Sequence, residues 1–110
     1  MRLLLDECVP RTLLPHLTGL AAEHLRDLGW KGLANGDLLN AMREAGFTVL
    51  LTVDRNLRFQ QPITEYGVSV VLLASVGNTV ECLLPLLPQL RRELPFIQAG
   101  QLVQIDTPGV

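Results

Sequence analysis

Three short apolar runs constrain this chain more than any other feature: LLL at 3–5, TVLLTV at 48–53 and VSVVLLA at 68–74. None alternates apolar with polar residues, as a strand with one wet face would, and each is bounded by turn-forming or charged residues. Strands of this kind are buried on both faces, which is the condition of parallel sheets covered by helices. Between the first two runs, NGDLLNAMREAG (35–46) has helical spacing. Leu38, Leu39, Met42 and Ala45 share a face, Asn35 is placed to cap the start, and Gly46 to end it. The rhythm of strand, helix and strand predicts an α/β fold.

The remaining segments extend that pattern. A first helix is expected near Pro10, whose fixed φ suits a first turn, with Leu13, Leu14 and Leu17 inward before Gly19. AAEHLRDLG (21–29) allows either a short helix or a second strand. Asn78 and Glu81 have the spacing of a capping box, opening a leucine-rich helix to about residue 94 that Pro85 and Pro88 should kink or divide. AGQLVQID (99–106) reads as an edge strand after a turn glycine, and the closing TPGV as loose. With 110 residues, 48% of them apolar, the expectation is one domain over 1–106 and a flexible tail over 107–110. No run approaches the roughly 18 apolar residues of a membrane span, and no leader pattern opens the chain, so a cytoplasmic location is expected. Cys8 and Cys82 have neither a disulfide framework nor a zinc spacing and read as small buried hydrophobes.

A net charge of −2 argues against passive nucleic-acid binding, which needs cations over a broad surface. It argues less against catalysis, because a bound metal ion can meet phosphate in place of side chains. The acids themselves are placed suggestively. In an open parallel sheet, ligands bind outside the carboxyl ends of the strands. Asp6 follows the first apolar run, Asp54 follows the second, and Asp37 lies in the first turn of the helix that leads into it. All three fall at one rim if the two strands are neighbours. Carboxylates are hard ligands suited to Mg²⁺ or Mn²⁺, and such ions can drive hydrolysis of a phosphodiester. Each acid also has a plain structural role available: Asp37 favours the helix dipole, Asp54 suits a side-chain turn in VDRN, and Glu7 can face solvent.

LLLDECVPRTL, NGDLLNAMREAGFTVLLTVDRNL and the following VVLLA strand together resemble the PIN-like domains, in particular a short branch related to VapC-type toxins. The resemblance covers about residues 2–75. It implies a Rossmann-like three-layer α/β/α sandwich with a mostly parallel central sheet. It also implies a Mg²⁺- or Mn²⁺-dependent endoribonuclease, the toxin of a toxin–antitoxin pair, with RNA as substrate and an antitoxin protein as partner. Carried across residue by residue, Asp6, Asp37 and Asp54 match the catalytic, metal-holding acids, and Thr52 the threonine of the T-x-D motif that supports them. Where many relatives have a further acid this chain has Asn56, and the acid expected between the first strand and Asp37 has no clear counterpart. Glu7 and Asn56 therefore stand as additional candidate ligands.

Around this centre, Arg11, Arg55 and Arg58 are candidates to reach phosphate, and Trp30 and Lys31 in GWKG to meet a base and its backbone. FQQP (59–62) offers amides near Asp54, whereas His16 and His24 have no ligand spacing and read as non-catalytic. Three functions follow: the ribonuclease; a catalytically weak interaction module that binds a protein partner or forms a homodimer through residues 80–94; and a phospho-receiver. The last needs a lysine after its final core strand, and the only lysine is Lys31.

Overall fold

Leu3 and Leu5 point to one side of the first strand and Leu4 to the other, and all three are fully buried. The same split recurs at Val49 and Leu51 against Leu50, and at Val71 and Leu73 against Val70. Continuous apolar runs thus feed two cores, one on each face of a single sheet. The computed structural model describes residues 1–56 and 63–108. Its strands are β1 (Arg2–Leu5), β2 (Ala21–His24), β3 (Val49–Thr52), β4 (Ser69–Ala74) and β5 (Leu102–Asp106). They pair in parallel throughout, in the order β2-β1-β3-β4-β5. The expected three-layer α/β architecture is the one found.

One layer is α1 (Asn35–Ala45), which presses Leu38, Leu39 and Met42 against Leu4, Leu50 and Val70. It ends in a left-handed Gly46 at φ 85°, whose N–H and that of Phe47 reach back to the last carbonyls of the helix. Its cap is Ala34, not the expected Asn35, and Asn35 is the first helical residue. The other layer holds a 3₁₀ helix over Arg11–His16, with Leu13 and Leu17 buried, and the leucine-rich segment. That segment is cut as its prolines demand into α2 (Val80–Leu83), a 3₁₀ turn, α3 (Leu87–Glu93) and a second 3₁₀ turn over Leu94–Phe96. Thr79 caps it by accepting the Cys82 N–H, one residue beyond the expected Asn78. Leu83, Leu87 and Leu90 are all buried in the core on this face of the sheet.

Residues 21–29 divide, as strand β2 and then a 3₁₀ helix over Leu25–Leu28. The β4–β5 connection covers the same face as the β1–β2 connection while moving the other way across the sheet, so the two crossovers have opposite hands. Right-handed crossovers are the strong rule. Here the exception supplies Leu83, Leu86 and Leu90 to a face of β3 and β4 on which Val49, Leu51, Val71 and Leu73 need cover. The turn into β5 requires Gly100, at φ 83°, where a Cβ would stand 2.8 Å from the Thr64 main chain. Among the described residues no helix is long and apolar enough to cross a membrane.

Leu50 sits in the middle of the sheet and is 1% exposed. Leu50→Ala should lower the unfolding free energy by about 2–5 kcal/mol, measured by urea denaturation, with little change in the denaturant slope.

Candidate functional site

The strand order reverses direction between β1 and β3, and the acids following those two strands flank that point. The ladder runs one residue past β1, since the Asp6 N–H donates to the Leu51 carbonyl at 2.9 Å. This fixes the Asp6 main chain at the sheet edge. Its carboxylate is fixed as well: Oδ1 accepts the Glu7 N–H at 2.9 Å and Oδ2 accepts the Thr52 hydroxyl at 2.9 Å. Thr52, 1% exposed at the end of β3, in turn accepts the Asp54 N–H at 3.1 Å. Asp54 then closes a side-chain turn by accepting the Asn56 N–H on Oδ1 at 2.9 Å. One hydroxyl therefore links the two acidic loops.

Beside that link lies the Cys8 thiol, 3.5 Å from Thr52 Oγ1 and 3.7 Å from Asp6 Oδ2. It is half-buried rather than the enclosed hydrophobe its sequence suggests. Burial pushes the Cys8 thiol up from its ordinary range, and the charge of Asp6 acts in the same direction. A pocket of ≈ 370 Å³ opens here. It is lined by the acids Asp6, Glu7 and Asp54 with Cys8, and by Trp30, Leu33, Asn35 and Leu38. Trp30 is set by edge-on contact with Phe47, centroids 5.9 Å apart.

Asp37 is not part of this wall. It is exposed in the first turn of α1, while Asn35 and Leu38 face the pocket. Two residues beyond Asn35 is about 200° around a helix, so the turn that brings Asn35 inward takes Asp37 outward. Among the described residues, no group of three or more His, Cys, Asp or Glu side chains is placed to hold one metal ion. The structure brings together two of the three expected acids. Glu7 also lines the pocket, but its Oε1 faces two cations, 3.6 Å from Arg26 and 3.8 Å from Lys31. Asn56 contributes its N–H to Asp54. Arg11 is paired with Asp27 at 2.6 Å, and Arg55 donates to the Ser75 carbonyl at 3.1 Å. Arg58 and FQQP lie outside the described residues.

His24 has a structural role at this rim. It is 1% exposed, with Nε2 2.7 Å from the Val9 carbonyl and Nδ1 accepting the Arg26 N–H at 3.1 Å. That pair of partners selects the Nε2–H tautomer and ties the loop after Asp6 to the 3₁₀ helix that carries Arg26. Sequence reasoning reads Cys8 as a buried hydrophobe and Asn35 as a helix cap, and gives Arg26 no role. Cys8 was discoverable as the second residue after Asp6, whereas nothing in the sequence pairs Arg26 with a glutamate 19 positions earlier.

No family model, curated protein or solved structure matches this chain. As a donor set, Asp6 and Asp54 fit a hard divalent ion. Mg²⁺ is commonly held by one or two carboxylates, with waters and substrate phosphate completing its shell. A carboxylate has about four acceptor sites, so the hydrogen bonds described leave capacity on both acids. The residues do not fit an ion held by three carboxylates.

Thr52→Val keeps the shape of the side chain but leaves two polar groups without their partner. It should cost about 1–3 kcal/mol on urea denaturation, and Thr52→Ser should recover most of it. In a Cys82→Ala background at pH 8, iodoacetamide should label Cys8 more slowly in the folded than in the urea-unfolded protein, read by mass spectrometry. The raised pKa leaves less thiolate in the fold, and the gap should narrow as pH rises through the thiol range.

Proposed function

We propose that this chain is a PIN-like endoribonuclease dependent on Mg²⁺ or Mn²⁺, with Asp6 and Asp54 as the ion's carboxylate ligands. The observation that carries the proposal is the Thr52 bridge. The Asp6 carboxylate and the Asp54 main-chain N–H, each following a separate strand, meet at one buried hydroxyl at the topological switch point, and both acids line a pocket that also includes Trp30. Plain solvent-facing acids would need no such support.

When bound, the ion would supply charge to a phosphoryl oxygen and make water a better nucleophile. The rest falls to the chain. Thr52 and the Glu7 N–H hold the Asp6 carboxylate in one orientation, and the Asn56 N–H does the same for Asp54. Such fixed charge needs little reorganisation when substrate arrives. Trp30 and Leu33 offer apolar surface to a base, and Asn35 an amide. Asp37 acts at the start of α1 through the helix dipole rather than on the ion.

RNA as substrate, a toxin role in the cytoplasm and an antitoxin-type protein partner belong to the same reading. For that partner, or for a second copy of the chain, the β5 end of the sheet is favoured over the buried leucines. There Phe96 and Leu102 are 80% and 66% exposed.

The test is calorimetric titration of Mn²⁺ into wild type, Asp54→Asn and Asp37→Asn, with RNA cleavage measured in parallel. Asp54→Asn should lose ion binding and lower cleavage by roughly a hundredfold or more, as expected for loss of a preorganised charged group. Asp37→Asn should keep most of both. Ion binding without cleavage would favour the interaction module, and wild type that binds no ion would overturn the proposal.

A further inference from the structure

Glu7 is the one acid of the LLLDE stretch that the carboxylate pair does not use. Its Oε1 lies between Arg26 Nη2 at 3.6 Å and Lys31 Nζ at 3.8 Å. Both separations exceed a hydrogen bond, and all three side chains are 41–63% exposed, so these are loose Coulombic contacts that solvent weakens. The main chains beneath them are better fixed. The Arg26 N–H is held by buried His24, and Lys31 follows Trp30, which is anchored on Phe47. Two long cationic side chains thus stand on anchored backbone at the edge of the pocket, with one weakly held carboxylate between them.

A phosphate diester is the natural replacement for that carboxylate. It carries the same charge, accepts from the same donors, and suits the two-pronged guanidinium as well as a carboxylate does. We infer that Arg26 and Lys31 form a phosphate-binding subsite next to the carboxylate pair, filled by Glu7 in the free protein and by a nucleic-acid phosphate when a strand is bound. Arg55, on the β4 side of Asp54, extends the track across the rim. The inference rests on the nucleic-acid reading above and assigns Glu7 a role distinct from metal ligation: it is the counter-charge that the incoming phosphate displaces. It also explains how a chain of net charge −2 can attract a polyanion locally.

The experiment is fluorescence anisotropy with an end-labelled single-stranded RNA of about ten nucleotides, in EDTA to remove cleavage, across a series of salt concentrations. The proteins are wild type, Glu7→Gln, the double variant Arg26→Gln with Lys31→Gln, and Arg92→Gln on α3 as a charge control. The double variant should bind roughly tenfold more weakly at low salt, and its plot of log affinity against log salt should flatten by about 0.7 for each phosphate that the protein no longer neutralises. Glu7→Gln should bind about threefold or more tightly, because the phosphate no longer competes with a carboxylate. The same shifts should appear with DNA of the same sequence, since the subsite reads phosphate.

Wild type that does not bind, a double variant indistinguishable from Arg92→Gln, or Glu7→Gln that binds no better than wild type would each overturn the inference. Its failure is separable from failure of the nuclease reading. Cleavage that needs Asp54 with no response at Arg26 and Lys31 removes only the subsite. The expected binding shifts without metal-dependent cleavage remove only the nuclease.

Discussion

One threonine hydroxyl joins the two halves of this sheet at the point where their strand order diverges. Thr52 donates its single proton to Asp6 and accepts from the Asp54 N–H, and it does so almost wholly buried. Hydrogen bonds in such surroundings are stronger than in water, and an unpaired partner there is correspondingly costly. The site depends on this interaction in sequence. It orients Asp6, starts the turn in which Asp54 accepts from Asn56, and leaves Cys8 beside the Asp6–Thr52 bond. Without the parallel register that sets Leu5 opposite Leu51, Thr52 would not arrive beside Asp6.

The strands that carry this register were legible in the sequence because they follow from burial. Runs with no polar alternation have no wet face, so β1, β3 and β4 could be placed with helices above and below, and Gly46 marked the end of α1 for a conformational reason. Legibility failed where a choice turned on tertiary neighbours. AAEH has neither a long apolar run nor a clear period, and it becomes a strand because β1 offers an edge for Ala21 to His24 to pair with. The caps moved by one residue, to Ala34 and Thr79, where extended backbone preceded the helix. Asp6 and Asp54 could be brought to one rim from topology alone. The rotation of Asp37 away from it could not, since that depends on which face of α1 meets the sheet. Least visible was Glu7, whose partners come from beyond β2.

The strand order β2-β1-β3-β4-β5 is also that of flavodoxin-like folds, which include phospho-receivers, so the fold alone does not select an activity. The site does. A phospho-receiver resemblance requires a cation after the final core strand to meet the phosphoryl group, and β5 ends instead in Asp106, followed by Thr107. Lys31 lies instead in the connection from β2 to α1, facing Glu7 after β1. Two cations of this rim, Arg26 and Lys31, face Glu7, and Arg55 lies on the β4 side of Asp54, a spread that suits a strand laid across the carboxylates better than a phosphoryl group attached to one of them.

The balance of charge at the rim bears on how the site can exist before any ligand arrives. Three carboxylates at one sheet edge repel one another, yet each has its own compensation. Asp6 has the Thr52 hydroxyl and a main-chain N–H, Asp54 has the Asn56 N–H, and Glu7 has Arg26 and Lys31. The first two compensations are short hydrogen bonds within the fold, and a divalent ion can add to them without breaking any, because carboxylate oxygens retain acceptor capacity. The third is long, exposed and exchangeable. On the proposed reading, this division would keep the two acids preorganised for an ion while Arg26 and Lys31 stay available to phosphate, so an incoming strand would have only the Glu7 interactions to replace.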